Sequence, residues 1–215
     1  MKEHTAHQVK VSSTSLGTMI VRFELDPKLV DEINKLYEEH KENLEPWNDN
    51  LAGKIADEKR VEHILTNEHK GVFLGCFKKY LEMILKPNWV CIPENAWIND
   101  MYAGEYNPLH FHSSPMTDLG LSSVFVLKRP STYGKEFARE GDPTNGWLQF
   151  TGGDQSPLSS SQFSTDAMPG HFYVFPYSLL HGVYPFNGTK EVRRTMSYNC
   201  NLFKESAVKY SDKGS

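Results

Sequence analysis

Met168-Pro-Gly-His-Phe-Tyr-Val-Phe-Pro-Tyr-Ser-Leu-Leu-His181 opens on a Pro-Gly turn, runs through aromatic residues, breaks at a second proline and ends on a histidine. Pro and Gly punctuate the chain, and Phe, Tyr and Val favour extended backbone, so the stretch predicts a strand from His171 to Phe175 bounded by turns. Working outward, Gly182 to Pro185 and Arg193 to Asn199 read as further short strands. So do Trp97 to Tyr102, Leu109 to His112, Ser122 to Leu127 and Trp147 to Phe150 on the upstream side. Seven short strands separated by Gly, Pro, Asn and Ser predict a sandwich or barrel, not a parallel sheet with crossover helices.

Ahead of residue 94 the pattern is helical. Asp26-Pro27 starts an amphipathic helix that carries Val30, Ile33, Leu36 and Tyr37 to about residue 43. A second helix is predicted over 70–85, where Phe73, Phe77, Tyr80, Leu81 and Ile84 recur at helical spacing before Pro87. The polar segment from Leu51 to Arg60 has no decisive period. The fold class is therefore mainly β with flanking helices. At 215 residues one domain suffices: 1–93 as an N-terminal strand and helices packing on the barrel, 94–203 as the β core and 204–215 as a tail.

Composition narrows the function classes. With 39% hydrophobic and 12% aromatic residues the chain is ordinary for a globular protein. No run approaches the roughly eighteen apolar residues of a membrane span, and the first residues have no signal-peptide pattern, so a cytoplasmic protein without a membrane partner is expected. A net charge of −4 gives no broad electrostatic reason to bind nucleic acid. Cys76, Cys91 and Cys200 lack disulfide or zinc spacing and read as reduced core residues. Asn187-Gly188-Thr189 reads as a tight turn.

The chemistry lies in Asn107-Pro-Leu-His-Phe-His-Ser-Ser114. A strand repeats every second residue, so the imidazoles of His110 and His112 leave one face and can converge on one ion. With His181 on a neighbouring strand, the three make a facial ligand set that leaves coordination positions open, as a catalytic metal requires. His4, His7, His40, His63, His69 and His171 lack such partners in the pattern and read as structural or surface residues.

The ordered set of histidine pair, turn, aromatic strand, distal His181 and Arg193-Arg-Thr195 resembles the iron(II)- and 2-oxoglutarate-dependent oxygenases, in the prolyl-hydroxylase-like branch, over roughly residues 95–202. The resemblance implies a double-stranded β-helix, or jelly-roll, barrel on an N-terminal helical support. It implies Fe(II), 2-oxoglutarate as cosubstrate and O2, with ascorbate as an accessory reductant. The reaction it implies is oxidative decarboxylation of 2-oxoglutarate to succinate and CO2, coupled to hydroxylation of a substrate C–H bond. His110 and His181 match the family's first and distal metal ligands. Arg193 and Thr195 match the residues that hold the far carboxylate of 2-oxoglutarate, with Arg194 as second choice. Tyr102 resembles a tyrosine of the cosubstrate pocket.

His112 departs from the pattern, since the family usually places a carboxylate there. It is read as the third ligand, Asp118 being the reserve, and a site without activity stays open. Phe111, Phe125, Phe150, Phe172 and Phe175 would make a dry surround. Lys128, Arg129, Trp147 and the loops 129–145 and 152–168 are candidates for recognising an unknown substrate, with a peptide or protein residue the leading class. Two other classes compete: a cupin-type metal-dependent dioxygenase or isomerase, which would not need Arg193, and a non-catalytic jelly-roll binding protein.

Overall fold

The helices of the N-terminal part cover one face of a sheet to which that part itself contributes strands. The computed structural model describes residues 9–15, 17–50, 52–84, 86, 88–153 and 160–206. In chain order its elements are β1 Lys10–Ser15, β2 Met19–Glu24, α1 Pro27–His40, β3 Asp57–Arg60, α2 Asn67–Met83, β4 Trp89–Met101, β5 Asn107–His110, β6 Gly120–Lys128, β7 Leu148–Thr151, β8 Gln162–Thr165, β9 His171–Pro176, β10 Leu180–Val183 and β11 Arg193–Lys204. A 3-10 turn over Lys41–Asn43 extends α1 to the end expected from the sequence.

Both helices start where local chemistry satisfies their free N–H groups. The Asp26 carboxylate accepts from the Lys28 N–H, and Pro27 occupies the first turn, where it forfeits no hydrogen bond. Thr66 and His69 form a reciprocal capping pair, which moves the start of α2 ahead of the expected residue 70. Pro87, the expected stop, lies outside the described residues, as do His4 and His7.

The strands form two antiparallel sheets, ordered β1-β2-β9-β6-β11-β4-β3 and β5-β10-β7-β8. α1 and α2 cover the outer face of the larger sheet, where Phe73 and Phe77 meet Phe172 and Tyr198 ring to ring. Ile20, Val124, Val126, Tyr173 and Phe175 on its inner face pack against Leu148 and Phe150 of the smaller sheet. The two face-packed antiparallel sheets are the jelly roll implied by the resemblance. Residues of β6 and β11 are buried along most of both strands, because each lies between the helices and the smaller sheet.

Several boundaries differ from expectation. The N-terminal strand is a hairpin, β1 and β2. The ambiguous 51–60 segment yields the edge strand β3, and the loop 152–168 contains β8, with 154–159 outside the described residues. β5 ends at His110, so His112 lies beyond the strand. Phe125 and Phe172 face the helices, and Phe111 is exposed, so the expected aromatic interior reduces to Phe150 and Phe175.

β3 places Glu58 opposite Asn99 of β4, with 1% of its surface exposed and Oε1 without a hydrogen-bond partner among the described residues. Burial, helped by Glu105, pushes its pKa up from 4.5 to about 7. Across that window the unfolded chain has lost this proton and the folded chain keeps it, so this carboxyl costs stability as pH rises. Glu58→Gln, which removes the ionisation, should raise the urea midpoint relative to the parent more at about pH 8 than at about pH 4.5. A difference that is constant with pH would contradict this account.

Candidate metal centre and cosubstrate pocket

The antiparallel pairing of β10 with β5 sets His181 directly opposite His110. Gly182 permits this close approach, since a Cβ there would lie 2.7 Å from the Asn107 carbonyl oxygen and 3.1 Å from the Leu109 nitrogen. His112 reaches the cluster from beyond the strand end, anchored by its backbone N–H donating to the Tyr177 carbonyl at 2.9 Å. The ligand atoms of the three histidines all lie within 4.8 Å of one another.

Backbone carbonyls orient two of the rings. Nδ1–H of His110 donates to Pro108 O at 2.8 Å and Nδ1–H of His181 to Leu179 O at 2.9 Å, which directs both Nε2 lone pairs to the shared centre. Nε2 of His112 lies 3.2 Å from Nε2 of His181, so one of these nitrogens must bring the proton between them. The Asn199 side chain stands 3.5 Å from Nδ1 of His112 and on its other side accepts from Ser122 Oγ at 3.0 Å. With its NH2 towards the ring, Asn199 favours Nε2–H on His112; with the amide reversed, its oxygen would take Nδ1–H and free Nε2 for a metal. The Ser122 hydroxyl can donate or accept, so it tolerates either orientation.

Burial keeps all three rings neutral, the form that ligates a metal. It lowers the pKa of His110, pushes that of His112 to about 3 and drives that of the almost fully buried His181 well below its ordinary value; neighbouring imidazoles add to the effect at the last two. Phe175 and Phe150 flank His181 at ring separations of 4.5 and 6.3 Å. Three convergent imidazoles suit a divalent first-row metal, so this donor set fits iron(II).

Arg193 and Thr195 line the same pocket as the three histidines. Arg193 is buried; its Nε donates to Gly146 O at 3.0 Å, the Tyr133 side chain lies beside it, and its Nη2 has no partner among the described residues. A buried guanidinium with a free donor facing a pocket fits a carboxylate ligand. Arg194, on the opposite face of β11, pairs bidentately with Asp100 at 2.5 and 2.6 Å, also meets Glu38 at 2.8 Å, and lies over the Tyr37 ring. Its donors are engaged outside the barrel.

Some expected site residues lie elsewhere. Tyr102 follows Met101, which lines the pocket opposite Arg193; Tyr102 therefore emerges past the strand end, 42% exposed and outside the pocket lining. Tyr133, from the 129–145 loop, is the tyrosine beside Arg193. Asp118 is exposed and lines a different cavity, with Tyr80 and Tyr177. Lys128 pairs with Glu38, Arg129 pairs bidentately with Asp166, and Trp147 packs beside Tyr133 and Phe186, so none of the three is a free recognition group. Sequence reasoning missed Asn99, Asn107, Ser197 and Asn199, yet the alternation 193-195-197-199 along β11 already carried the last two.

A family model described as "Putative 2OG-Fe(II) oxygenase" matches residues 95–199, the stretch holding the three histidines, Arg193 and Thr195. The barrel is a 2OG-Fe(II) oxygenase domain. Among solved structures, the oxygenase resembles a Pseudomonas putida prolyl-4-hydroxylase at 12% identity and TM-score 0.56, over 90% of this chain and 93% of that one. It also resembles a Trichoplax adhaerens prolyl hydroxylase in complex with a hypoxia inducible factor peptide fragment, at 13% identity and TM-score 0.56, over 90% and 87% of the two chains. The alpha ketoglutarate dependent carbocyclase SnoK, from nogalamycin biosynthesis, shares the fold at 12% identity and TM-score 0.58, over 85% and 79%. No curated protein matches the chain. The oxygenase uses Fe(II), 2-oxoglutarate and O2.

Two substitutions test this geometry by metal titration. Gly182→Ala should force β5 from β10 and weaken cobalt(II) or iron(II) binding while the far-ultraviolet spectrum keeps its β character; unchanged affinity would mean that the close approach is not needed. His112→Ala should weaken binding at least ~10-fold, a lost ligand being worth well over 1.4 kcal/mol, with Asp118→Ala near parental. The reverse order would transfer the ligand role to Asp118.

Proposed function

We propose that His110, His112 and His181 hold the iron(II) of this oxygenase, that Arg193 and Thr195 bind the distal carboxylate of 2-oxoglutarate, and that the enzyme hydroxylates a residue of a peptide or protein. The reading rests chiefly on the free Nη2 of Arg193, buried in the pocket that the three histidines share. A cupin-type reaction would leave that guanidinium without a task.

Bound iron(II) would supply the O2 chemistry that turns 2-oxoglutarate into succinate and CO2 and oxidises a substrate C–H bond. The chain's own residues bind, orient and keep out water. Pro108 and Leu179 carbonyls fix two imidazole rings before the metal arrives, so little ordering remains to be done on binding. Arg193 supplies a fixed positive charge whose strength grows with the dryness of its surroundings, where Val124 and Leu148 share the lining. Thr195 follows Arg193 on the same strand face and offers a hydroxyl to the same carboxylate.

The third imidazole has an electrostatic consequence. A His-carboxylate-His set neutralises one of the metal's two charges, whereas three neutral imidazoles neutralise none. The dianionic cosubstrate therefore has more charge to compensate here, and metal and 2-oxoglutarate should strengthen each other's binding. Support for a peptide substrate comes from the peptide-bound Trichoplax relative and from exposed Leu109 and Phe111, which flank His110 on the outer side of the site. The fold itself hosts other reactions, as SnoK shows.

Succinate release from 2-oxoglutarate should require iron(II) and O2, be stimulated by ascorbate, and vanish in His181→Ala. Arg193→Met should raise the 2-oxoglutarate concentration for half-maximal turnover by ~10- to 100-fold, the loss expected when a charged hydrogen-bonding partner is removed. Arg194→Met should instead lower the unfolding midpoint and leave that concentration almost unchanged. Equal kinetic effects of the two variants would overturn the assignment of Arg193.

A further inference from the structure

Cys91 and Cys200 are distant in sequence but brought together by strand pairing. In the β4–β11 register Cys91 faces Leu202 and Cys200 faces Pro93, so the two thiols are diagonal neighbours on one face of adjacent strands. That face packs against α2, and both cysteines belong to its apolar cluster. The register shift between Tyr198 and Cys200 places an irregularity in the ladder at this point, and the two thiols are near enough to shift each other's pKa.

The two sulfurs differ in access. Cys200 is fully buried, whereas Cys91 is half-buried and lines a surface groove with Lys78, Glu82 and Trp89. Cys76, the remaining cysteine, is buried and is not part of this pair.

We propose that Cys91 is an oxidation site for hydroperoxides and that Cys200 is its resolving thiol, the two closing to a reversible disulfide across β4 and β11. The Cys91 thiolate attacks one oxygen of the hydroperoxide, the O–O bond breaks and the leaving oxygen departs as alcohol or water after protonation. Sulfur is oxidised by two electrons to the sulfenic acid, and the peroxide is reduced by the same two. The Cys200 sulfur then attacks Sγ of Cys91, the S–O bond breaks, and the Cys200 proton leaves with the hydroxyl as water. The neighbouring Cys200 thiol lowers the pKa of Cys91 and so favours its thiolate, while burial holds Cys200 and Cys76 in the thiol form, that of Cys76 pushed up to about 12. Diagonal pairs on antiparallel strands lie roughly 7–8 Å apart at Cα, near the limit for a disulfide, so closure asks for a small local shift that the ladder irregularity can supply.

The test uses the metal-free full-length chain with chelator present, which separates it from any iron-driven oxidation and from the oxygenase assignment. After brief exposure to hydrogen peroxide, the folded protein is alkylated and its peptides mapped by mass spectrometry. The expected result is a dithiothreitol-reversible Cys91–Cys200 peptide pair, with Cys76 still open to alkylation after denaturation. Cys200→Ser should stop at a sulfenic acid on Cys91 that a cyclic dione traps, and Cys91→Ser should lose the linkage and leave Cys200 unoxidised. Absence of the linked pair in the parent, or oxidation of Cys76 as fast as Cys91, would overturn the proposal even if the Cys200 variant fails to fold.

Discussion

The pairing of β5 with β10 is the contact on which the site depends. It puts His110 and His181 face to face, and each ring is then held by a carbonyl two residues earlier in its own strand or turn. The two rings are thus fixed by backbone geometry and not by a network of flexible side chains. That arrangement is compatible with full burial because a neutral imidazole with one nitrogen donating to a carbonyl leaves only the other unsatisfied, and a metal satisfies it. Gly182 sits at the point where the two strands would otherwise collide.

β11 supplies the other half of the site by reversing the ordinary logic of an amphipathic strand. Met196, Tyr198 and Cys200 face the helices, and Arg193, Thr195, Ser197 and Asn199 face inward. In a two-layer protein the polar side of such a strand normally meets water; here it is buried between two sheets and lines a pocket. Burying so many polar groups is costly unless each finds a partner, and among the described residues the Nη2 of Arg193 has none, which is the observation behind the proposed carboxylate site. Arg194 shows the contrast, a guanidinium equally buried but saturated by Asp100, Glu38 and Asn34.

His112 is where the barrel departs most from a carboxylate-bearing site. Its ring lies between those of Trp97 and Tyr177, at 6.1 and 6.0 Å, and its polar contact away from the centre is an amide instead of a carbonyl. Its tautomer is consequently less firmly fixed than those of His110 and His181, since an amide can present either oxygen or NH2. The Asn199–Ser122 pair can therefore accommodate either tautomer of His112 without moving the strands.

The sequence by itself carried the β-rich barrel with its helical support, because strand and helix periods are local, and it singled out the three histidines and the adjacent Arg193 and Arg194 as candidates, although His112, past the end of β5, joins the cluster through its backbone contact with Tyr177 and not through strand parity. Where the reading went astray, a strand end or a distant partner intervened. Tyr102, placed in the pocket by the family resemblance, lies past the end of β4, and Lys128 and Arg129 looked free because Glu38 and Asp166 lie far from them in the chain. Only the tertiary structure decided between Arg193 and Arg194, brought Tyr133 to the pocket, removed Asp118 from it and joined Cys91 to Cys200. The reason is physical: which of two adjacent faces is the interior, and which remote group satisfies a buried charge, depend on how sheets and helices stack, and that stacking is not encoded in any one segment.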